Sequence, residues 1–134
     1  MESEVVMGAS EAAAIRPPLP PAVERVVVRE WNRVHLVAPD DIHWIEADDN
    51  NVVVHVAGHI YKGRGRISEY ESLLDPTRFA RIHRSAIVRL ASIAEVRFLS
   101  KGALAVRLRD GKLLRVSRSR RSVLRAVLGV RLTG

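Results

Sequence analysis

From Val23 onward the chain is written in short β-branched runs separated by turn-forming residues, a texture that favours packed strands and hairpins. Residues 26–29, 34–37, 42–45 and 52–56 are four such runs, and Ala57-Gly58 turns the chain into a fifth at 59–62 to complete a hairpin. Glu46-Ala47-Asp48-Asp49-Asn50-Asn51 supplies five acid or amide side chains, which favour a turn and tolerate left-handed backbone. A mixed segment covers 79–90, and residues 93–99 predict a strand that Ser100-Lys101-Gly102 turns back. Hydrophobic residues make up 47% of the sequence but aromatics only 4%, so Val, Leu, Ile and Ala must build the core.

One hairpin permits a register argument. Leu104, Val106 and Leu108 alternate with Ala105 and Arg107, and the return strand places Leu114 and Val116 on one face. A two-residue Asp110-Gly111 loop would set Arg115 beside Val106 on the core face. A three-residue loop, Arg109-Asp110-Gly111 with Gly111 left-handed, pairs 106 with 114 and 104 with 116. Burial selects the second register, which leaves Arg107 and Arg115 together on the solvent face.

Two short helices complete the prediction. Ser68-Glu69-Tyr70-Glu71 fits a capping box in which Ser68 is the cap and Glu71 reaches back, with Tyr70, Leu73 and Leu74 on one face and Pro76 forbidding continuation. Residues 119–128 carry the stripe Val123, Leu124, Val127 and Leu128, and Gly129 is a natural stop. The expected fold class is mainly β: small antiparallel sheets with two short helices. With 134 residues, the chain has room for one domain at 23–130, preceded by a flexible proline-rich tail or linker at 1–22 and followed by a tail at 131–134.

Charge narrows the partner. Residues 1–60 hold 4 basic and 10 acidic residues, whereas 61–134 hold 18 and 5, and 15 of those 18 are Arg. Arg presents a planar fork that grips phosphate or guanine edges in pairs, so a polyanion is the leading partner class. The absence of cysteine removes disulfide frameworks and thiolate metal sites and fits a reducing compartment. No apolar run approaches the roughly 20 residues that span a bilayer, and the start lacks the pattern of an export signal, so a soluble cytoplasmic protein without membrane contact is expected.

Catalytic patterns are missing. The chain has no G-x-S-x-G and no phosphate loop, and Gly63-Arg64-Gly65-Arg66 lacks the required spacing and ending. His55 and His59 sit in a hairpin where a spacing of four does not place them on one helical face, so no metal site is assigned. Asp48 and Asp49 read as solvated turn formers and not as a catalytic pair. No enzyme activity and no cofactor are expected.

The most distinctive run is Phe79-Ala80-Arg81-Ile82-His83-Arg84-Ser85-Ala86-Ile87-Val88, whose apolar members anchor it while Arg81, His83, Arg84 and Ser85 offer groups that a phosphodiester or base edge accepts. Read alone, it also fits a buried hydrogen-bonding turn with a structural His83. Arg118, Arg120 and Arg121 crowd the start of the second helix, where the macrodipole disfavours cations by roughly 0.3–1 kcal/mol each. A phosphate held there with Ser117 and Ser119 would convert that penalty into an anion site; a solvated basic helix end is the alternative.

Ile45-Glu46-Ala47-Asp48-Asp49-Asn50, the run 79–88, Leu108-Arg109-Asp110-Gly111 and Val116-Ser117-Arg118-Ser119 occur in an order that resembles the LytTR DNA-binding domain of bacterial transcriptional regulators over about residues 25–129. The resemblance implies an elongated, mostly β fold of three small sheets whose loops enter successive major grooves on one face of bent DNA. It places Asn50, Asn51 and Val52 in a first reading loop, His83, Arg84 and Ser85 in a second, and Ser117, Arg118, Ser119 and Arg120 in a third. This chain departs from the family at Asn51-Val52, where an aromatic is usual, and near Arg89, where an Asn is usual.

The expected base contacts are therefore Asn50, Asn51, His83, Arg84 and Arg118. The expected phosphate contacts are Arg64, Ser85, Arg89, Arg107, Arg115, Ser117, Ser119, Arg120 and Arg121. Double-stranded DNA with repeated sites is the expected partner, with a homodimer on DNA and a separate signal-input protein or domain as further expectations. An RNA-binding or nonspecific polyanion-binding module is the alternative, although only 6 of 134 residues are aromatic and RNA readers usually expose stacking rings.

Overall fold

The computed structural model describes residues 25–128; the segment 1–22, Gly129 and the tail 131–134 lie outside the described residues. β1 (Val26–Arg29) and β2 (Val34–Val37) form an antiparallel hairpin. β3 (Ile42–Asp48), β4 (Asn51–Val56), β5 (His59–Arg64), β6 (Phe79–His83) and β7 (Ala86–Arg89) build a five-stranded antiparallel sheet in the order β5-β4-β3-β7-β6. β8 (Ile93–Phe98), β9 (Leu104–Leu108) and β10 (Leu113–Val116) form a third sheet. Two short helices, α1 (Ile67–Glu71) and α2 (Arg121–Leu128), complete the described part.

The five-stranded sheet is covered on both faces. Neighbouring side chains on a strand point to opposite sides, so Ile45 and Ile87 enter one core while Trp44 and Val88 enter the other. Val26 and Val28 of β1 close the first core together with Ile67, Tyr70 and Leu74 from α1 and the turn after it. The second is closed by Leu104, Val106 and Leu108 of β9, Leu114 and Val116 of β10, and Leu124 of α2. Double coverage explains why Ala86, Ile87 and Val88 are consecutive and all buried, where a sheet with one wet face would alternate. Gly63 sits where β1 and α1 approach β5: a Cβ there would lie 2.7 Å from Val28 Cγ1 and 2.8 Å from the Tyr70 hydroxyl.

The burial argument for the last hairpin holds. Val106 pairs with Leu114 and Leu104 with Val116, the loop has three residues, and Gly111 has φ 97°. Its closure is made by Leu108 N–H donating to the Lys112 carbonyl at 2.8 Å. Arg115 is exposed as expected, but Arg107 is half-buried because its Nε donates to Glu95 Oε1 at 2.9 Å.

Two helix expectations need correction. α1 begins at Ile67 with Arg66 as the cap, and the acid that reaches back is Glu69, accepting from the Arg66 backbone N–H at 3.2 Å. Ser68 lies inside the helix, Glu71 is used elsewhere, and Leu73 is 41% exposed beside buried Tyr70 and Leu74. The burial of Ile67 sets the phase and overrides the S-x-x-E match. The second helix is a 3-10 turn over Arg118–Arg120 followed by α2; Leu124 is fully buried, whereas Val123 is 41% exposed. No helix among the described residues is long and apolar enough to cross a membrane.

Candidate nucleic-acid interface

Strand register brings the expected loops to one end of the central sheet. β3 and β4 are joined by a two-residue turn, since Asp48 pairs with Asn51, and Asp49 takes the left-handed backbone (φ 57°) that a short acid tolerates. His83 pairs with Ala86, so Arg84 and Ser85 form a second two-residue turn. The two turns are neighbours: the Ala47 N–H donates to the Ser85 carbonyl at 2.9 Å. On the far side, Asn51 pairs with Arg64, and the Gly65 N–H donates to the Asn50 carbonyl at 3.0 Å. The Ser117 N–H donates to the Ile82 carbonyl at 2.8 Å and docks the third loop beside β6. Backbone hydrogen bonds thus set Arg64, Asn50-Asn51, Arg84-Ser85 and Ser117-Arg118 in a row along one edge.

Side chains along this row are presented for contact. Asn50, Asn51, Arg64, Arg84, Arg118 and Ser119 are exposed, and Ser85, Ser117 and Arg120 are half-buried. Among the described residues, Arg84, Arg115, Arg118 and Arg120 have no ion-pair partner, so their charges are available to an anion. Arg115 borders a groove of about 280 Å³ between β10 and the 83–86 turn, which Trp44 and Lys112 also line. Tyr70 fixes Arg64 from below by donating its hydroxyl to the Arg64 carbonyl at 3.1 Å, and burial pushes the ionisation of that phenol upward.

His83 has its roles divided. Its Nδ1 accepts the Ser85 backbone N–H at 3.2 Å and lies 2.9 Å from Ser85 Oγ. An accepting Nδ1 puts the proton of the neutral ring on Nε2, which leaves one donor for a base or phosphate.

Sequence reasoning placed Arg81 among the contacting groups, and the structure gives it another task. Its Nε donates to the His83 carbonyl (3.1 Å), Nη2 to the Arg84 carbonyl (2.6 Å) and Nη1 to Glu71 Oε1 (2.8 Å), with the side chain only 12% exposed. One guanidinium thereby shapes the second loop and ties it to α1. A signal was present: Arg81 shares its strand face with buried Phe79, and a charge on a covered face needs partners.

Two of the expected phosphate contacts are at least partly committed to the protein: Arg89 Nε donates to the Ile42 carbonyl at 2.8 Å and Arg107 Nε to Glu95 Oε1 at 2.9 Å. Arg121 is half-buried at the start of α2, and its buried Nε has no hydrogen-bond partner among the described residues. Of the two histidines weighed as metal ligands, His55 is half-buried and His59 is exposed. His55 stacks on Trp44 at 4.2 Å with Nε2 3.1 Å from Glu46 Oε1, and His59 meets Tyr61 edge-on at 4.5 Å.

A family model for the LytTr DNA-binding domain matches residues 32–129. The sensory transduction protein LytT of Enterococcus faecalis is 31% identical over 99 residues, which are 74% of this chain and 41% of that protein. The transcriptional regulatory protein LytR of Staphylococcus aureus is 29% identical over 99 residues, 74% of this chain and 40% of that protein. A solved LytTr DNA-binding domain from Bacillus cereus shares the fold with a TM-score of 0.72 and 24% identity, covering 81% of this chain and 100% of that one. The chain spans about two-fifths of the length of the curated relatives it matches.

Proposed function

The chain belongs to the LytTR DNA-binding domain family, and from that premise we propose that it reads double-stranded DNA sequence-specifically, through loops set in adjacent major grooves, as the DNA-binding part of a bacterial transcriptional regulator. The observation that carries this reading is the row of loops held by backbone hydrogen bonds at one end of the central sheet, with arginines that have no ion-pair partner among the described residues projecting from it. Arg84 and Arg118 select bases through paired donors to guanine, and Asn50, Asn51 and the Nε2 of His83 add further contacts. The acidic first loop approaches DNA through its amides.

Arg64, Ser85, Arg115, Ser117, Ser119 and Arg120 hold phosphates and supply most of the affinity. Arg89 and Arg107 serve mainly the fold. Repeated sites would seat two copies side by side, and a separate input domain or protein in the cytoplasm would control occupancy.

Replacing either selector tests the reading. Arg84→Ala and Arg118→Ala should each cost roughly 1–3 kcal/mol on a preferred duplex and far less on random DNA. Equal losses on both duplexes would remove base selection from these residues. A preference for single-stranded RNA over duplex DNA would transfer the site to the RNA-binding alternative.

A further inference from the structure

The β1–β2 turn ends at the same sheet edge as the reading loops, and its most exposed side chain is an indole. The Glu30 N–H donates to the Arg33 carbonyl at 2.9 Å to close the turn, and Trp31 stands 84% exposed at its tip. β1 packs on β5 through Val28 against Gly63, and the guanidinium carbon of Arg64 lies 5.8 Å from the centre of the Trp31 ring. Since Arg64 pairs with Asn51, the tip sits immediately beyond the first reading loop. Between them is an open groove of about 450 Å³, bordered by Trp31, Asn51, Lys62 and Arg64.

We propose that Trp31 and Arg64 form a fourth DNA contact, which grips the sugar-phosphate backbone outside the first loop. The inference rests on the DNA-binding reading above. An indole offers one apolar face for a deoxyribose and one N–H for a phosphate oxygen, and a guanidinium held over the other face has fewer orientations to lose on binding. Two acids share the groove. Glu30 is offset by Arg33 at 3.6 Å, whereas Asp48 has no ion-pair partner among the described residues and lines the same groove as the cations Lys62 and Arg64. The contact is therefore one of ring and fork with sugar and phosphate, and it carries no base preference.

The second tryptophan makes a direct test available, because Trp44 is 4% exposed and is not at the tip. In a Trp44→Phe protein, Trp31 is the sole indole reporter: adding a 30-base-pair random-sequence duplex at low salt should shift its emission to the blue and protect it from acrylamide. Trp31→Ala should weaken binding about tenfold, on the random duplex and on a duplex recovered by selection alike, since backbone contacts lose uniformly. Trimming the base pairs flanking the first-loop side should weaken the parent by a similar factor and leave Trp31→Ala indifferent.

Unchanged affinity and unprotected emission would overturn the fourth contact, even if selection recovers a motif. Failure of selection, with Trp31 still protected by random DNA, would instead overturn sequence-specific reading and keep the tip contact. Should Trp44→Phe fail to fold, the Trp31→Ala affinities decide alone.

Discussion

Arg81 touches no DNA in this scheme, yet its replacement should disturb both stability and reading. Arg81→Ala removes a guanidinium with three partners: the carbonyls of His83 and Arg84 and the carboxylate of Glu71. Hydrogen bonds from a charged donor are worth about 1.5–3 kcal/mol, while the Glu71 pair, whose acid is 40% exposed, adds about 0.2–1 kcal/mol after screening. Water can replace the bond to the Arg84 carbonyl, which lies in an exposed turn, so only the part-buried His83 bond counts in full and a loss of about 2–4 kcal/mol is expected, a large share of the roughly 5–15 kcal/mol that holds a domain of this size. Urea denaturation should show a lower midpoint with an unchanged slope. The loop released from α1 no longer holds Arg84 in one pose, so the preferred duplex should lose affinity relative to random DNA. Arg81→Lys should recover only part of the stability, because an ammonium cannot fork to two carbonyls and a carboxylate at once. Wild-type stability and selectivity in Arg81→Lys would refute the positioning role.

Three further outcomes are expected. Gly63→Ala should cost about 1–3 kcal/mol in chemical denaturation, since its Cβ would press on Val28 and Tyr70 in the core under β1; a neutral change would mean that this contact gives way freely. The carboxyl of Glu95 is held below the ordinary glutamate range, first by its hydrogen bond from Arg97 and then by that from Arg107. Its contribution is thus present above the unfolded-state pKa and lost as pH falls through the lower folded value, so Glu95→Gln should flatten the acid limb of the stability profile. Arg115→Ala should lower the slope of log affinity against log salt by about one phosphate contact, whereas Arg89→Ala should leave that slope in place and lower stability instead.

The sequence carried the strand pattern well because burial on alternating positions leaves few consistent registers. The 104–116 hairpin was settled in this way: only the three-residue loop kept Leu114 and Val116 on the core face and Arg115 off it. Local motifs were weaker guides where tertiary packing competed. Ser68 and Glu71 match a capping box, but α1 takes its phase from burying Ile67 and Tyr70, which passes the cap to Arg66 and Glu69. Arginine was the hardest residue to read. Arg81, Arg89 and Arg107 look in sequence like Arg84 and Arg115, and their different uses depend on Glu71, the Ile42 carbonyl and Glu95, which only the folded chain brings near. Trp31 is not legible in the sequence, because a single indole in a turn has no pattern; its meaning comes from β1 packing on β5 and from the proximity of Arg64.

The most direct test of sequence-specific reading is selection of bound duplexes from a random pool, repeated across a salt series. Enrichment of a repeated motif that persists as salt rises, and that disappears with Arg84→Ala and Arg118→Ala together, is the predicted result. Steep salt dependence with no enriched motif would contradict it and leave a nonspecific polyanion binder.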